Sequence, residues 1–462
     1  MALLLFTTTL FLSATLLFLL EPMFAKMALP VLGGSAAVWI TCMAFFQACL
    51  LGGYAFAHGL AGRWSAKWRP ALLLPLLFLP LLLLPIRLPE TRPLLAAMHP
   101  IEALLRILLI SVGLPFLLVS TLNPTLQAWF ASTGHRHAKD PYFLYAASNA
   151  GSMVGLIGYP IFIEPYFRLA DQNRIWSWGY CFLVALVFCC ALILWRSPGT
   201  LPRNLNSVTT DATLPVAADD PASAPTSMRR ARWVALSFVP SSLMLGVTTS
   251  LTADIPPIPL FWVVPLALYL LTFILVFARK RLVPHEVLVR RLPFVILVAA
   301  VPIVLRAELP LWMVILLNLA ALFVTAMVCH GELAKSRPYT RHLTEFYLWL
   351  AAGGLAGGVF NGLVAPSVFR HVAEYPIALV LAAMLCPAIS PPERDPADRR
   401  LDFGLPMALG VALAAAIWAF SAAGLAQTPF FLVFGFGPAI LVCFSFSRRP
   451  LRYGVGLAAL FL

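Results

Sequence analysis

Long apolar runs alternate with short polar segments along the whole chain. A helix needs about 20 residues to cross a hydrocarbon core. On that ruler apolar runs fall at 3–22, 36–59, 70–86, 102–121, 142–163 and 175–195. After a gap they resume at 233–251, 259–278, 292–305, 310–329, 344–365 and 374–388, and then at 404–424 and 429–447. A fifteenth run starts near Tyr453 and has ten residues before Leu462. The pattern predicts an all-α polytopic membrane protein with about 14 transmembrane helices and an incomplete fifteenth. The half-made last helix leads us to expect the membrane part of a longer protein. The short runs 292–305 and 374–388 are expected to extend into their flanking segments.

Charge orients these helices. Every second loop, beginning with the one that holds Arg63, Lys67 and Arg69, is basic, and these loops together carry 24 of the 32 Lys and Arg. Positive residues resist translocation, so the basic loops and the N-terminus are expected in the cytoplasm. No helix has to be added or removed to keep the alternation. Composition agrees: 61% of residues are hydrophobic and 11% charged, against about 45–50% and 25% in soluble domains. The net charge of +13 is spread over helix ends, which argues for a lipid bilayer and against nucleic acid as its partner.

The 196–232 segment breaks the rhythm. It is rich in Pro, Ala, Ser and Thr, with Asp211, Asp219 and Asp220, and reads as a flexible cytoplasmic linker. It divides a first six-helix bundle (1–195) from a second (233–388). A cytoplasmic loop (389–403) and further C-terminal helices (404–462) follow. The two sixes share a pattern. Tyr142-Phe143-Leu144-Tyr145 leads into Ala147, Gly151 and Gly155, four residues apart. Phe346-Tyr347-Leu348-Trp349 leads into Gly354, Gly358 and Gly362 at the same spacing. Each stripe then meets a proline, Pro160 or Pro366. Such stripes let helices pack backbone to backbone. Their fifth and eleventh positions suggest two parallel repeats, a major-facilitator-like six-plus-six core. The loop Gly59-Leu60-Ala61-Gly62-Arg63 with Lys67 is similar to the signature loop of those transporters, with Gly62 where that pattern has Asp.

Polar groups inside apolar runs are the candidates for chemistry, because a mid-helix charge costs about 2.5–3.5 kcal/mol on insertion scales. Glu21 and Lys26 flank Pro22: they are either a charged pair at a broken helix that lines a cavity, or an interfacial boundary. Asn149 and Asn361 lie within apolar helices, where each either binds a solute or hydrogen-bonds another helix. Asp254 and Glu164 sit at outward turns, as gates or as solvated carboxylates. Glu332 and Glu345 bracket the basic segment 335–341, where a local ion pair accounts for them. The pair His135 and His137 lacks a third ligand, none of the eight cysteines forms CxxC, and the glycines at 353–358 do not match GxGxxG. No metal, no cofactor and no catalytic constellation is therefore expected.

Several blocks resemble one bacterial family. They are Glu21-Pro22-Met23-Phe24-Ala25-Lys26-Met27 with Leu32–Trp39, Asp140–Asn149, Leu236–Ser242, His330–Ala334 and Phe346–Trp349. The chain resembles the membrane region of membrane-embedded spermidine synthase-like proteins, in which a facilitator-type region is fused to an aminopropyltransferase-like domain. The resemblance implies a multi-pass protein of the bacterial inner membrane. It implies too an aminopropyltransferase-like domain, or a partner of that kind, whose Gly-rich loop and catalytic Asp residues have no match here. Two functions follow as expectations. One is a transporter-like module for a small solute, a polyamine or related metabolite. The other is a non-transporting anchor for the enzyme domain.

Overall fold

The computed structural model describes residues 1–32, 36–89, 99–197, 224–253, 260–279, 283–305, 307, 309–369, 373–387, 396–424 and 432–461. The linker expected at 196–232 lies largely outside them. Among the described residues there is no strand, and ten helices are long and apolar enough to cross a membrane.

In chain order the helices are α1 (Ala2–Leu32), α2 (Ala36–Arg63), α3 (Trp68–Phe78, continued by a 3-10 turn to Leu82), α4 (Ile101–Ala131), α5 (Phe143–Tyr166) and α6 (Leu169–Arg196). Then come α7 (Ser227–Ala253), α8 (Leu260–Phe277), α9 (His285–Leu305), α10 (Leu311–Lys335), α11 (Thr340–Val368) and α12 (Glu374–Leu385). The last three are α13 (Pro396–Ala422), α14 (Phe434–Arg448) and α15 (Pro450–Phe461). The short 292–305 run does extend, back to His285, whereas α12 stays short.

Helices α4, α5 and α11 each contain one π-type turn, at Leu109–Gly113, Tyr159–Ile163 and Phe360–Val364, and a fourth, Leu432–Phe436, leads into α14. Each turn lies at, or within two residues of, a proline: Pro115, Pro160, Pro366 or Pro438. A proline has no N–H to close the helical ladder, and the wider turn accommodates the gap. In α5 the turn follows the small-residue stripe and in α11 it takes in the last glycine of the stripe, Gly362, so the likeness between these two helices extends to their backbones.

The chain forms two compact units that do not follow the division at the linker. The first comprises Met1–Val234, Phe273–Arg281 and Leu333–Leu363, and the second comprises Ala235–Thr272, Leu282–Glu332 and Val364–Leu462.

In the first unit α1 and α5 run parallel. A Cβ on Gly151 would overlap the Phe11 carbonyl oxygen, and one on Gly155 would lie 2.8 Å from the Thr15 carbonyl oxygen. Farther along, Lys26 Nζ meets Glu164 Oε1 at 2.9 Å. These pairs ascend together in number, as two helices with an odd count of crossings between them must. Helices α2 and α4 are parallel by the same test, since Gly52 faces Leu117 and Tyr54 bonds Asn123. Helices α1 and α6 are antiparallel: Trp176 donates to the Leu16 carbonyl, while Thr9 lies against Cys190. Helices α2 and α11 are antiparallel too, because Gln47 meets Gly358 and His58 meets Thr344. Buried Phe6, Leu17, Phe24, Phe116, Trp129 and Tyr180 fill the space between these helices.

In the second unit α15 packs on α12, where Gly454 lies against Met384 and Val380. Its Tyr453 hydroxyl donates to the Pro293 carbonyl of α9 at 2.6 Å. Asp402 of α13 holds Arg452 at 3.0 Å and Arg449 at 3.6 Å.

Candidate functional site

Helix α2 explains how polar side chains gather in the first unit. Gln47, Tyr54 and His58 are seven and four residues apart, so they share one helical face. That face meets α11: Gln47 fills the place of a Cβ at Gly358, and His58 Nδ1 lies 3.1 Å from Thr344 Oγ1. A neighbouring face, at Gly52 and Gly53, has no side chain and admits Leu117 and Ser120 of α4. Tyr54 stands where both partners can reach it.

From there a directed ladder of hydrogen bonds crosses three helices. The Tyr347 hydroxyl of α11 donates to Gln127 Oε1 at 2.8 Å. Gln127 Nε2 donates to Asn123 Oδ1 at 2.9 Å, one turn away on α4, and Asn123 Nδ2 donates to the Tyr54 oxygen at 2.7 Å. All four side chains are buried, Tyr347 and Gln127 completely. Each amide gives one of its two N–H hydrogens to the ladder, and no described residue accepts the Tyr54 hydroxyl hydrogen. Rings enclose the other end. Tyr347 lies 4.9 Å from Tyr145, and Tyr145 lies 5.2 Å from both Phe273 and Phe277.

One end of the first unit is held by charges from the basic loops. Glu345, buried, accepts from Arg230 Nε at 2.6 Å and lies 3.2 Å from His342 Nδ1. Arg337 reaches Asp140 at 2.8 Å and lies over the Tyr142 ring, whose hydroxyl donates to the Pro338 carbonyl. Arg229 donates to the Ser336 and Arg337 carbonyls. The ion pair of Glu345 thus spans 115 residues, with only its His342 contact local.

The residues singled out in the sequence are scattered. Lys26 is held by Glu164, not by Glu21. Glu21 is half-buried on α1, and no described residue gives it an ion pair or hydrogen bond. Asn149 is buried and donates within its own helix, to the Tyr145 carbonyl at 2.8 Å. Asn361 is buried in the π-type turn of α11 and donates to the Gly357 carbonyl at 2.9 Å. Asp254 lies outside the described residues. Of the two stripes, Gly151 and Gly155 face the α1 backbone and Gly358 faces Gln47, while Ala147, Gly354 and Gly362 are half-buried. The ladder residues Tyr54, Asn123 and Gln127 were missed. Their signal was the cluster Asn123, Thr125 and Gln127, which a hydropathy ruler reads as the end of a span.

The second unit has a smaller polar cluster. His285 Nε2 and Glu332 Oε1 form a buried pair at 2.9 Å. His330, fully buried, shares a 2.8 Å hydrogen bond with Thr272. No group of three metal-binding side chains occurs among the described residues.

Helices of this length and apolarity, packed around a buried hydrogen-bond ladder, define an all-α multi-pass membrane protein. No protein-family model matches the chain, and no curated protein matches it either. Among solved structures it is similar to the human organic anion transporter MFSD10 (14% identity, 82% of this chain and 98% of that one, TM-score 0.49). It is similar also to the peptide transporter POT (14% identity, 82% and 93%, TM-score 0.48). A third such structure is FucP, a Major Facilitator Superfamily transporter in the outward conformation (15% identity, 83% and 98%, TM-score 0.47).

Proposed function

We propose that this protein is a facilitator-type carrier of a small organic solute, and that the ladder from Tyr347 to Tyr54 belongs to the solute's path. The observation that carries the reading is the ladder itself. Interhelical hydrogen bonds in membranes contribute only about 0.6 kcal/mol each on average, so bundle stability alone gives weak reason to bury two amides and two phenols together. Sites between helices of bundles combine apolar walls with a few convergent polar groups, and this cluster has that composition. Its unused donor at Tyr54 suits a solute with a hydrogen-bond acceptor, and the rings around Tyr347 suit an apolar or aromatic body. By the positive-inside rule the end held by Arg230, Glu345, Asp140 and Arg337 faces the cytoplasm.

A polyamine, the solute class suggested by resemblance, needs acceptors instead of donors. Glu345 and Glu164 are already engaged, which leaves Glu21 as the carboxylate for it among the described candidates. The anchor reading draws support from α13 and α15, which pack on one another, α15 also on α12, and which add to what a six-plus-six core requires. Counterflow in proteoliposomes with labelled sugars, nucleosides, amino acids and spermidine tests both readings. Uptake of one solute that falls at least tenfold in Tyr347→Phe and Gln127→Leu proteins of normal folding is expected. Uptake indifferent to both changes removes the ladder from the path, and no uptake of any solute favours the anchor.

A further inference from the structure

The loop between α4 and α5 carries a cluster that the carrier reading leaves unused. Four rings close into one circuit there. Phe130 lies 5.4 Å from His135, and His135 lies 5.4 Å from His137. Phe143 completes it, 6.4 Å from His137 and 6.1 Å from Phe130. The Arg279 guanidinium, just past the end of α8, sits over the Phe143 ring, 4.1 Å from its centre.

The circuit holds hydrogen-bond donors in place. His135 Nδ1 accepts the His137 backbone N–H at 3.2 Å, so the proton of a neutral His135 is on Nε2. The Phe143 ring takes the face of the Arg279 guanidinium and leaves the N–H groups at its edge free. Arg136, between the two histidines, is exposed, as is Lys139. No described residue accepts a hydrogen bond from any of these side chains. The one carboxylate of the loop, Asp140, is engaged by Arg337. Other basic segments differ, since Arg230 has Glu345, and Arg449 and Arg452 have Asp402. Partial desolvation, and then the charges of Arg279, Arg136 and His135, hold the His137 pKa below the ordinary histidine value. The positive groups therefore repel one another, and an anion would relieve them. The cluster stands where α4 ends at Ala131 and α5 begins at Phe143, the level at which lipid headgroups lie.

We infer that Arg279, Arg136, His135 and His137 form a binding site for a phosphate group, carried by a soluble phosphate or by an anionic lipid headgroup. The site does not depend on the carrier reading, since binding is measured without transport.

The test is the apparent melting temperature of the purified full chain in a neutral detergent, at constant pH and ionic strength. Inorganic phosphate is titrated against chloride, and short-chain phosphatidylglycerol against phosphatidylcholine of the same chain length. At least one of the two phosphate probes is expected to raise the melting temperature saturably over its control. A rise with inorganic phosphate identifies a soluble-phosphate site, and a rise with phosphatidylglycerol alone identifies a headgroup site. Arg279→Gln is expected to weaken the apparent affinity at least tenfold. Arg63→Gln, which removes the same charge from another basic segment, is expected to weaken it less than twofold. Phe143→Leu keeps every charge and removes the ring under Arg279 and beside His137, and is expected to weaken binding severalfold. The inference is overturned if neither probe differs from its control, if the Arg279 and Arg63 variants lose affinity equally, or if Phe143→Leu binds as the unaltered protein does.

Discussion

Replacing Gly151 with alanine adds one methyl group where two backbones meet. Its Cβ would overlap the carbonyl oxygen of Phe11, and no rotamer change relieves a clash between main-chain positions. Restoring an ordinary contact of roughly 3.5 Å requires the helices to part by more than about 1 Å, and such a gap forfeits a quarter to a half of each contact energy. The neighbouring approach of Gly155 to Thr15 is then lost as well. Overpacking of this kind costs about 1–3 kcal/mol, and two rigid backbones place it at the upper end. The better helix propensity of alanine returns about 0.8–1 kcal/mol, leaving a net loss near 2 kcal/mol. Gly158→Ala is the control on the same helix, since its Cβ meets nothing within 4 Å and only the propensity gain applies. The two variants should differ by about 3 kcal/mol, or roughly 6–12 °C at 2–4 °C per kcal/mol. Intrinsic-fluorescence melting of the detergent-solubilised proteins measures the gap. A Gly151→Ala protein that melts as high as the Gly158→Ala protein refutes the backbone contact.

Tyr347→Phe strands the Gln127 carbonyl oxygen in an apolar setting and should cost about 1 kcal/mol, read as a lower melting temperature. A Glu345→Ala, Arg230→Ala double-mutant cycle should give a coupling of about 1–3 kcal/mol, less than for a fully buried pair because Arg230 is 36% exposed. The same cycle on Asp140 and Arg337 should give under about 1 kcal/mol, falling further in high salt, because Asp140 is 54% exposed. Equal couplings in the two cycles contradict the burial argument. Lys26→Ala should scarcely change stability, since both members of its pair with Glu164 are more than a third exposed.

The helices were legible because each apolar run is continuous and because basic loops mark alternate ends. The directions of α1, α5 and α6, and of α2, α4 and α11, follow from that alternation. The stripe and proline shared by α5 and α11 also marked where their backbones widen. Helix α4 shows where legibility stopped. Its apolar run reads as ending at 121, yet the helix continues to Ala131. Asn123, Thr125 and Gln127 look like a boundary because a transfer scale scores them against lipid, whereas the fold buries all three and bonds Asn123 to Tyr54 and Gln127 to Tyr347. Polar residues with partners on other helices cannot be told from solvated ones until those partners are known. For the same reason the pairing of Lys26 with Glu164, 138 residues away, is not visible in the sequence.

The contact between α1 and α5 has one more consequence. Side-chain contacts can re-form in a new rotamer after a small slide, as Gln47 could against Gly358. Main-chain atoms pressed together at Gly151 and Gly155 have no second arrangement available. Helices α1 and α5 therefore behave as one double-width strut, and any rearrangement of the first unit must carry that strut whole and take up its motion along softer seams such as the one between α2 and α11.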